Sequence, residues 1–298
     1  MFTYPLPQKV ETDLDGYNEL ARIFKHINNQ EDPEITINFD GCVSFDANLS
    51  AALGAILMEF LSNEGHRVWL SRPKAGPVRK SLSRIHFLRA WDIATNVEER
   101  EYYIPYRQFR SNDETDFKKY LDEQLLHKQK FPQHSETAGG KIQESIFEIY
   151  ANAVSHGETN YVYSCGEYKE DRHMLDMTIV DCGITIPSKV NRYMSDHCLI
   201  SLSPIEAVKW AFVSGNTTKN EAGGLGLAIL KEFISLNEGA LQVVSDNAFL
   251  EMKGDKVESF LLDLPFPGTI VNMRFNFDDK KSYRMSDEVE NINPNDFL

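Results

Sequence analysis

Glu144, Glu148, Asn152 and His156 recur at every fourth position of one stretch of the chain. On an α-helix that spacing brings the four close to one face. Ile146, Phe147, Ile149, Tyr150 and Val154 supply the apolar remainder. A carboxylate and an amide one turn apart suit magnesium–nucleotide chemistry. Asn152 can offer an oxygen to Mg2+, a hard ion that prefers oxygen ligands and keeps its waters and phosphates. Glu148 can orient and deprotonate an attacking group. An amphipathic helix with a polar face accounts for the same residues when they are taken alone.

Two further motifs follow in the same segment. Asp181-Cys-Gly183 follows a strand, Met177–Val180. A buried Asp at that point can accept a hydrogen bond from the exocyclic amine of adenine, and the carbonyl of guanine would be repelled. Gly183 lets the backbone approach the ring, although Asp-x-Gly is also a common turn. Gly223-Gly224-Leu225-Gly226-Leu227 then opens a helical pattern. Converging N–H groups and a helix N-terminus attract phosphate. The polar stretch 214–222 would form a mobile lid, from which Lys219, Thr217 or Thr218 could reach the phosphates. This is neither a Walker A loop nor a dinucleotide fingerprint. The ordered set argues for an ATP–Mg2+ site, with Glu148 catalytic, Asn152 on the metal, and Asp181, Gly183, Lys219, Gly223, Gly224, Leu225, Gly226 and Leu227 on the nucleotide.

The elements that must position these residues fall into two parts. In the first, Glu34–Phe39 and Arg67–Leu70 read as strands, Ala47–Asn63 and Val78–Leu88 as helices, and Glu101–Phe109 as extended, so the part is α/β. Asp113 begins a helix, and Phe131–Gly140, with Pro132 and Gly139-Gly140, reads as a loop. In the second, a helix over Lys141–Ser155 precedes antiparallel strands Tyr161–Tyr168 and Met174–Val180. Helices at Pro204–Phe212 and Leu225–Leu236 follow, then strands at Leu241–Ser245, Glu258–Leu264 and Thr269–Phe277. That order implies a mostly antiparallel sheet with helices on one face. The domain expectation is 1–105, a helical junction and loop over 106–140, 141–277, and an acidic flexible tail over 278–298.

The chain has 298 residues and a net charge of −14, which disfavours nucleic acid and anionic membranes as general partners. Its four cysteines form no CxxC pair and have no zinc-ligand spacing with a histidine, so free thiols in a reducing compartment are the expectation, and there is neither a signal-peptide pattern nor a spanning apolar run. A cytoplasmic protein is the expectation.

Residues 140–277 resemble the GHKL ATPase superfamily on these motifs, Glu148xxxAsn152, Asp181xGly183 and Gly224xGly226, with Gly268-Thr269 similar to a last box. The stretch Glu148–Gly157 is most similar to anti-sigma factor serine kinases. The resemblance implies a Bergerat-fold α/β sandwich, ATP under a lid, and a supporting role for Thr269 in adenine recognition. The second glycine usual after Asp181 is Thr185 here. Residues 32–92 resemble a STAS domain on Ile35–Asp46 and His66–Leu70. Where that family carries a phosphorylated serine this chain has Ala47, so a phosphoserine switch is excluded there. The expected function is a slow ATPase that controls a protein partner through nucleotide-dependent lid closure, with homodimerisation open. The alternatives are a protein serine/threonine kinase acting on a separate protein and a catalytically idle binding module.

Overall fold

In the computed structural model of the chain, residues 1–95, 103–213, 216, 225–286 and 288 are described. The first part contains β1 (Phe2–Pro5), β2 (Lys9–Val10), α1 (Leu14–Asn28), β3 (Glu34–Asn38), β4 (Ser44–Phe45), α2 (Ser50–Leu61), β5 (Arg67–Leu70), α3 (Pro77–Arg84) and α4 (Phe87–Ala90). The second contains β6 (Tyr103–Arg110), α5 (Glu114–Leu121), β7 (Gln133–His134), α6 (Glu136–His156), β8 (Tyr161–Lys169), β9 (Met174–Asp181), α7 (Ile186–Asp196), α8 (Pro204–Ala211), α9 (Leu225–Leu236), β10 (Ala240–Lys253), β11 (Lys256–Asn276) and β12 (Ser282–Tyr283). The fold is mixed α/β. A five-stranded sheet in the order β10-β11-β9-β8-β6 is antiparallel throughout, and a smaller sheet, β1-β3-β5, is parallel.

Both faces of the large sheet are covered, which corrects the expectation of helices on one face. Side chains alternate along a strand. Met177, Ile179, Val243 and Met273 point to one side and pack with Ile142, Ile146 and Ile149 of α6 and with Leu230, Phe233 and Ile234 of α9. Tyr163, Val180, Val244 and Ile270 point to the other. There they share a core with Leu20 and Ile23 of α1, Leu53 and Leu57 of α2, and Ile35 and Ile37 of β3. Helices α1 and α2 thus fill the space between the parallel and antiparallel sheets. This explains why α2 is apolar nearly all round and buried along almost its whole length.

Several boundaries differ from the sequence reading for identifiable reasons. The helix expected over Val78–Leu88 is two helices, broken where His86 takes a left-handed backbone (φ 63°) and the Ile85 carbonyl accepts the Tyr106 N–H at 2.7 Å. The loop expected over Phe131–Gly140 gives way to α6 at Glu136, because Ser135 caps the helix by accepting the Ala138 N–H at 3.1 Å. The three C-terminal strands are two, β10 and β11, in one long hairpin whose register shifts on either side of Asp246. Helices α1 and α7 were not anticipated. Strand β6 is the edge strand of the large sheet, paired with β8. The described part of the C-terminal tail adds β12, which pairs with β7.

A buried polar network joins the layers. Asp176 on β9 is wholly buried between Lys169 (2.8 Å) and Arg274 (2.8 Å). Lys169 also meets Asp46 at 2.6 Å, and Asp46 accepts the Thr12 N–H and hydroxyl, each at 2.7 Å. Asn48 donates to the Thr178 hydroxyl (3.0 Å) and to Asn272 (3.2 Å), and Asn272 donates to Asp176 (3.1 Å) and Gln242 (3.1 Å). The two cations hold the Asp176 carboxyl below its ordinary range against the opposing effect of burial. Removing one partner of such a pair strands the others. Asp176→Ala is expected to cost about 3–5 kcal/mol in urea unfolding. Glu123→Ala, which removes an exposed i,i+4 partner of Lys119, should cost less than about 0.5 kcal/mol.

Candidate functional site

Helix α6 is placed by its apolar residues. Ile142, Ile146, Ile149, Tyr150 and Ala153 are buried, the Tyr150 hydroxyl donates to the Arg110 carbonyl at 2.5 Å, and the Tyr150 ring stacks on Phe117 at 4.6 Å. A four-residue step overshoots one helical turn by about 40°. The stripe Glu144, Glu148, Asn152, His156 therefore winds from solvent towards the sheet. Glu144 is exposed, whereas Glu148, Asn152 and His156 are half-buried. The first two chemical candidates thus lie along the boundary between core and water, where they can meet a ligand.

The end of α6 abuts the end of β9. Gly157 is buried against Asp181, and a Cβ on Gly157 would stand 3.0 Å from Asp181 Oδ1. The Gly157 carbonyl accepts the Ile184 N–H at 2.6 Å. A Cβ on Gly183 would collide with that same carbonyl, so the Asp-x-Gly sequence is required by this close approach. Asp181 is 4% exposed, and its Oδ1 accepts the Gly183 N–H at 2.9 Å. Burial pushes its carboxyl up to about 7, and the Gly183 N–H only partly offsets that.

Thr269 is the cross-strand partner of Asp181 on β11, and Ser245 is the cross-strand partner of Thr269 on β10. Directly opposed residues share a face. Asp181, Thr269 and Ser245 therefore stand in a row on the α6 side of the sheet. Gly268 reaches this position with φ +101°, and a Cβ there would strike the Asp181 backbone carbonyl.

The structure thus brings Asp181, Gly183 and Thr269 together at the end of the helix that carries Glu148 and Asn152. Asn152 precedes Gly157 by five residues, about 7–8 Å of helix axis. Leu225, Gly226 and Leu227 begin α9, and α9 packs on the same face of the sheet as α6. Lys219, Gly223, Gly224 and the stretch 214–222 read as a lid lie outside the described residues, apart from Asn216. Sequence reasoning missed Ser245 and the packing of Gly157 against Asp181. Neither has a local signal, since both roles arise from strand register and from a contact between distant segments.

Among the described residues no cluster of His, Cys, Asp and Glu could hold a metal by itself. The donor set instead fits an ion that arrives with a ligand's phosphates and takes one amide oxygen, from Asn152. A buried acceptor carboxylate beside the partly exposed residue Thr269 fits a ligand with an amine donor. No helix among the described residues is long and apolar enough to cross a membrane. No protein-family model, curated protein or solved structure matches the chain.

Asp181 ties the site to pH. The ordinary value for its carboxyl is 3.8, and in the folded protein it is about 7. Between those values the folded chain holds a proton that the unfolded chain has lost, so stability falls as pH rises through that window and is lowest above it. Asp181→Asn should therefore stabilise the protein at pH 8 by about 2–4 kcal/mol. It should change little at pH 4. Denaturant unfolding of both proteins at the two pH values measures this.

Proposed function

We propose that this chain binds ATP with Mg2+ in a GHKL-type site and hydrolyses it slowly to control a protein partner. The observation that carries the reading is the in-register pair Asp181–Thr269, set against the end of the helix that bears Glu148 and Asn152. The element order from α6 to β11 supports a Bergerat architecture. The parallel β1-β3-β5 sheet with its two helices supports a STAS-like first part.

Each residue then has a distinct task. Ionised Asp181 accepts the exocyclic amine of adenine, and Gly183 leaves room for the ring. Asn152 supplies an amide oxygen to the magnesium, which neutralises phosphate charge when bound. Glu148, one turn earlier and at the solvent boundary, orients and deprotonates the attacking water. The glycines 223, 224 and 226, with Leu225 and Leu227, would offer backbone N–H groups to the phosphates. Lys219 would reach them from the lid of the GHKL resemblance.

The kinase alternative uses the same Glu148 on a different acceptor. The attached STAS-like loop is not that acceptor. Ala47 is wholly buried, and its N–H donates to Glu167 at 2.7 Å. A substrate would have to be a separate protein.

Glu148→Ala should reduce ATP turnover at least about a hundredfold while leaving ATP affinity within a few-fold. Asp181→Asn should weaken ATP binding itself, by about tenfold or more. Calorimetric titration and phosphate release on the purified full chain with Mg2+ separate the two effects. Wild-type protein that binds no ATP would overturn the reading. Transfer of label from ATP to a co-purifying protein, with no phosphate release, would favour the kinase.

A further inference from the structure

Ser245 is wholly buried, and its hydroxyl meets three partners. The Ile186 N–H donates to Ser245 Oγ at 2.9 Å, the Gly268 carbonyl oxygen lies 2.9 Å away, and Thr269 Oγ1 lies 2.9 Å away. A hydroxyl has one proton and two lone pairs. The Gly268 carbonyl can only accept, so the Ser245 proton goes to it. One Ser245 lone pair takes the Ile186 N–H, and the remaining one can only receive. The Thr269 hydroxyl proton is thereby directed at Ser245, and Thr269 presents lone pairs to whatever approaches its open side. Thr269 is partly exposed, and its other cross-strand neighbour is Asp181, which is itself a pure acceptor when ionised.

We propose that Ser245 is a positioning residue that sets base selectivity: it holds Thr269 as an acceptor beside Asp181, so that the pair takes a purine with an amino group at ring position 6 and rejects one with a carbonyl there. This rests on the ATP-binding reading and adds to it the source of the discrimination. A 6-oxo base would set its carbonyl oxygen against two acceptors, with no donor free to turn towards it. Ser245 also joins three segments that frame Asp181: β10, the Gly268-Thr269 corner and the entry to α7 at Ile186. The proton ordering survives only while all three are in place.

The test uses the full-length protein at pH 8, where Asp181 is mostly ionised, with ATP and inosine triphosphate as probes. These differ at position 6 of the base and in the proton at N1 that goes with the carbonyl. Wild type is expected to prefer ATP by about tenfold or more. Ser245→Ala frees the Thr269 proton to turn and donate to a carbonyl, so the ATP/ITP affinity ratio should shrink about five- to tenfold. Loss of packing alone would weaken both nucleotides equally and leave that ratio unchanged. In a Thr269→Val background, where no hydroxyl remains to be oriented, Ser245→Ala should no longer move the ratio. If Ser245→Ala does not fold, Ser245→Cys, a weaker donor and acceptor of similar size, should shift the ratio in the same direction by less. Thr269→Ser should retain the wild-type ratio.

An unchanged ratio in the foldable Ser245 variant overturns the role given to Ser245 and leaves ATP binding standing. So does an equal effect of the variant with and without the Thr269 hydroxyl. Failure of the wild type to bind either nucleotide overturns both.

Discussion

The buried carboxylate of Asp176 is the constraint on which the two halves of the molecule depend. It sits at the centre of the large sheet with Lys169 on one side and Arg274 on the other, and Lys169 reaches on to Asp46 in the first part of the chain. A charge at that depth is tolerable only when fully paired. Its neighbours Thr178, Asn272, Gln242 and Asn48 are buried as well and bond to one another. The network therefore fixes the register in which the first part meets the sheet, since a shift of either layer would leave several polar groups unsatisfied at once.

This same face explains what could and could not be read from the sequence. Strand β9 alternates Leu175, Met177, Ile179 with Asp176, Thr178, Val180, and β10 alternates Leu241, Val243 with Gln242, Val244. Alternation of that kind normally means one dry and one wet face, and from it one layer of helices follows. The polar set instead faces another part of the same chain, a pairing that no local pattern encodes. What was legible was local: the helix that carries Glu148 and Asn152, the strand that ends at Asp181, the helix Leu225–Leu236, and α2 as an apolar helix. Helix α1 carries the signals of a helix, an Asp13 cap and Tyr17, Leu20, Ile23 and Ile27 on one side, but Gly16 and Asn18 dilute its propensity. Gly139-Gly140 had the opposite effect and hid the first turn of α6, whose stability comes from the Ser135 cap and from the His134 ring lying over Gly139.

The two ends of the sheet do different work. At the Asp176 end the inter-layer contact is polar and fixed in register. At the Asp181 end the reverse face is dry, with Val180, Ile270, Val244 and Tyr163 packed against α1 and α2. The carboxyl of Asp181 is thus held between an apolar core behind it and the Gly157–Gly183 contact in front. That is the environment that raises its pKa and makes it costly to keep ionised.

Asp46, Ala47 and Asn48, at the start of the 3-10 turn Ala47–Leu49 that leads into α2, belong to the inter-layer contact. Here each is used within the chain: Asp46 by Lys169 and Thr12, the Ala47 N–H by Glu167, and the Asn48 amide by Thr178 and Asn272. An alanine suits a position with no room and no exposure, and a phosphate there would have to break the contact between layers. The first part of the chain consequently acts as a fixed wall of the sheet, because it shares a core with β8, β9, β10 and β11. Helices α6 and α9 pack on the opposite face of the sheet, in a separate core. The end of α6 at Gly157 lies against Asp181, and the start of α7 at Ile186 donates to Ser245 beside it.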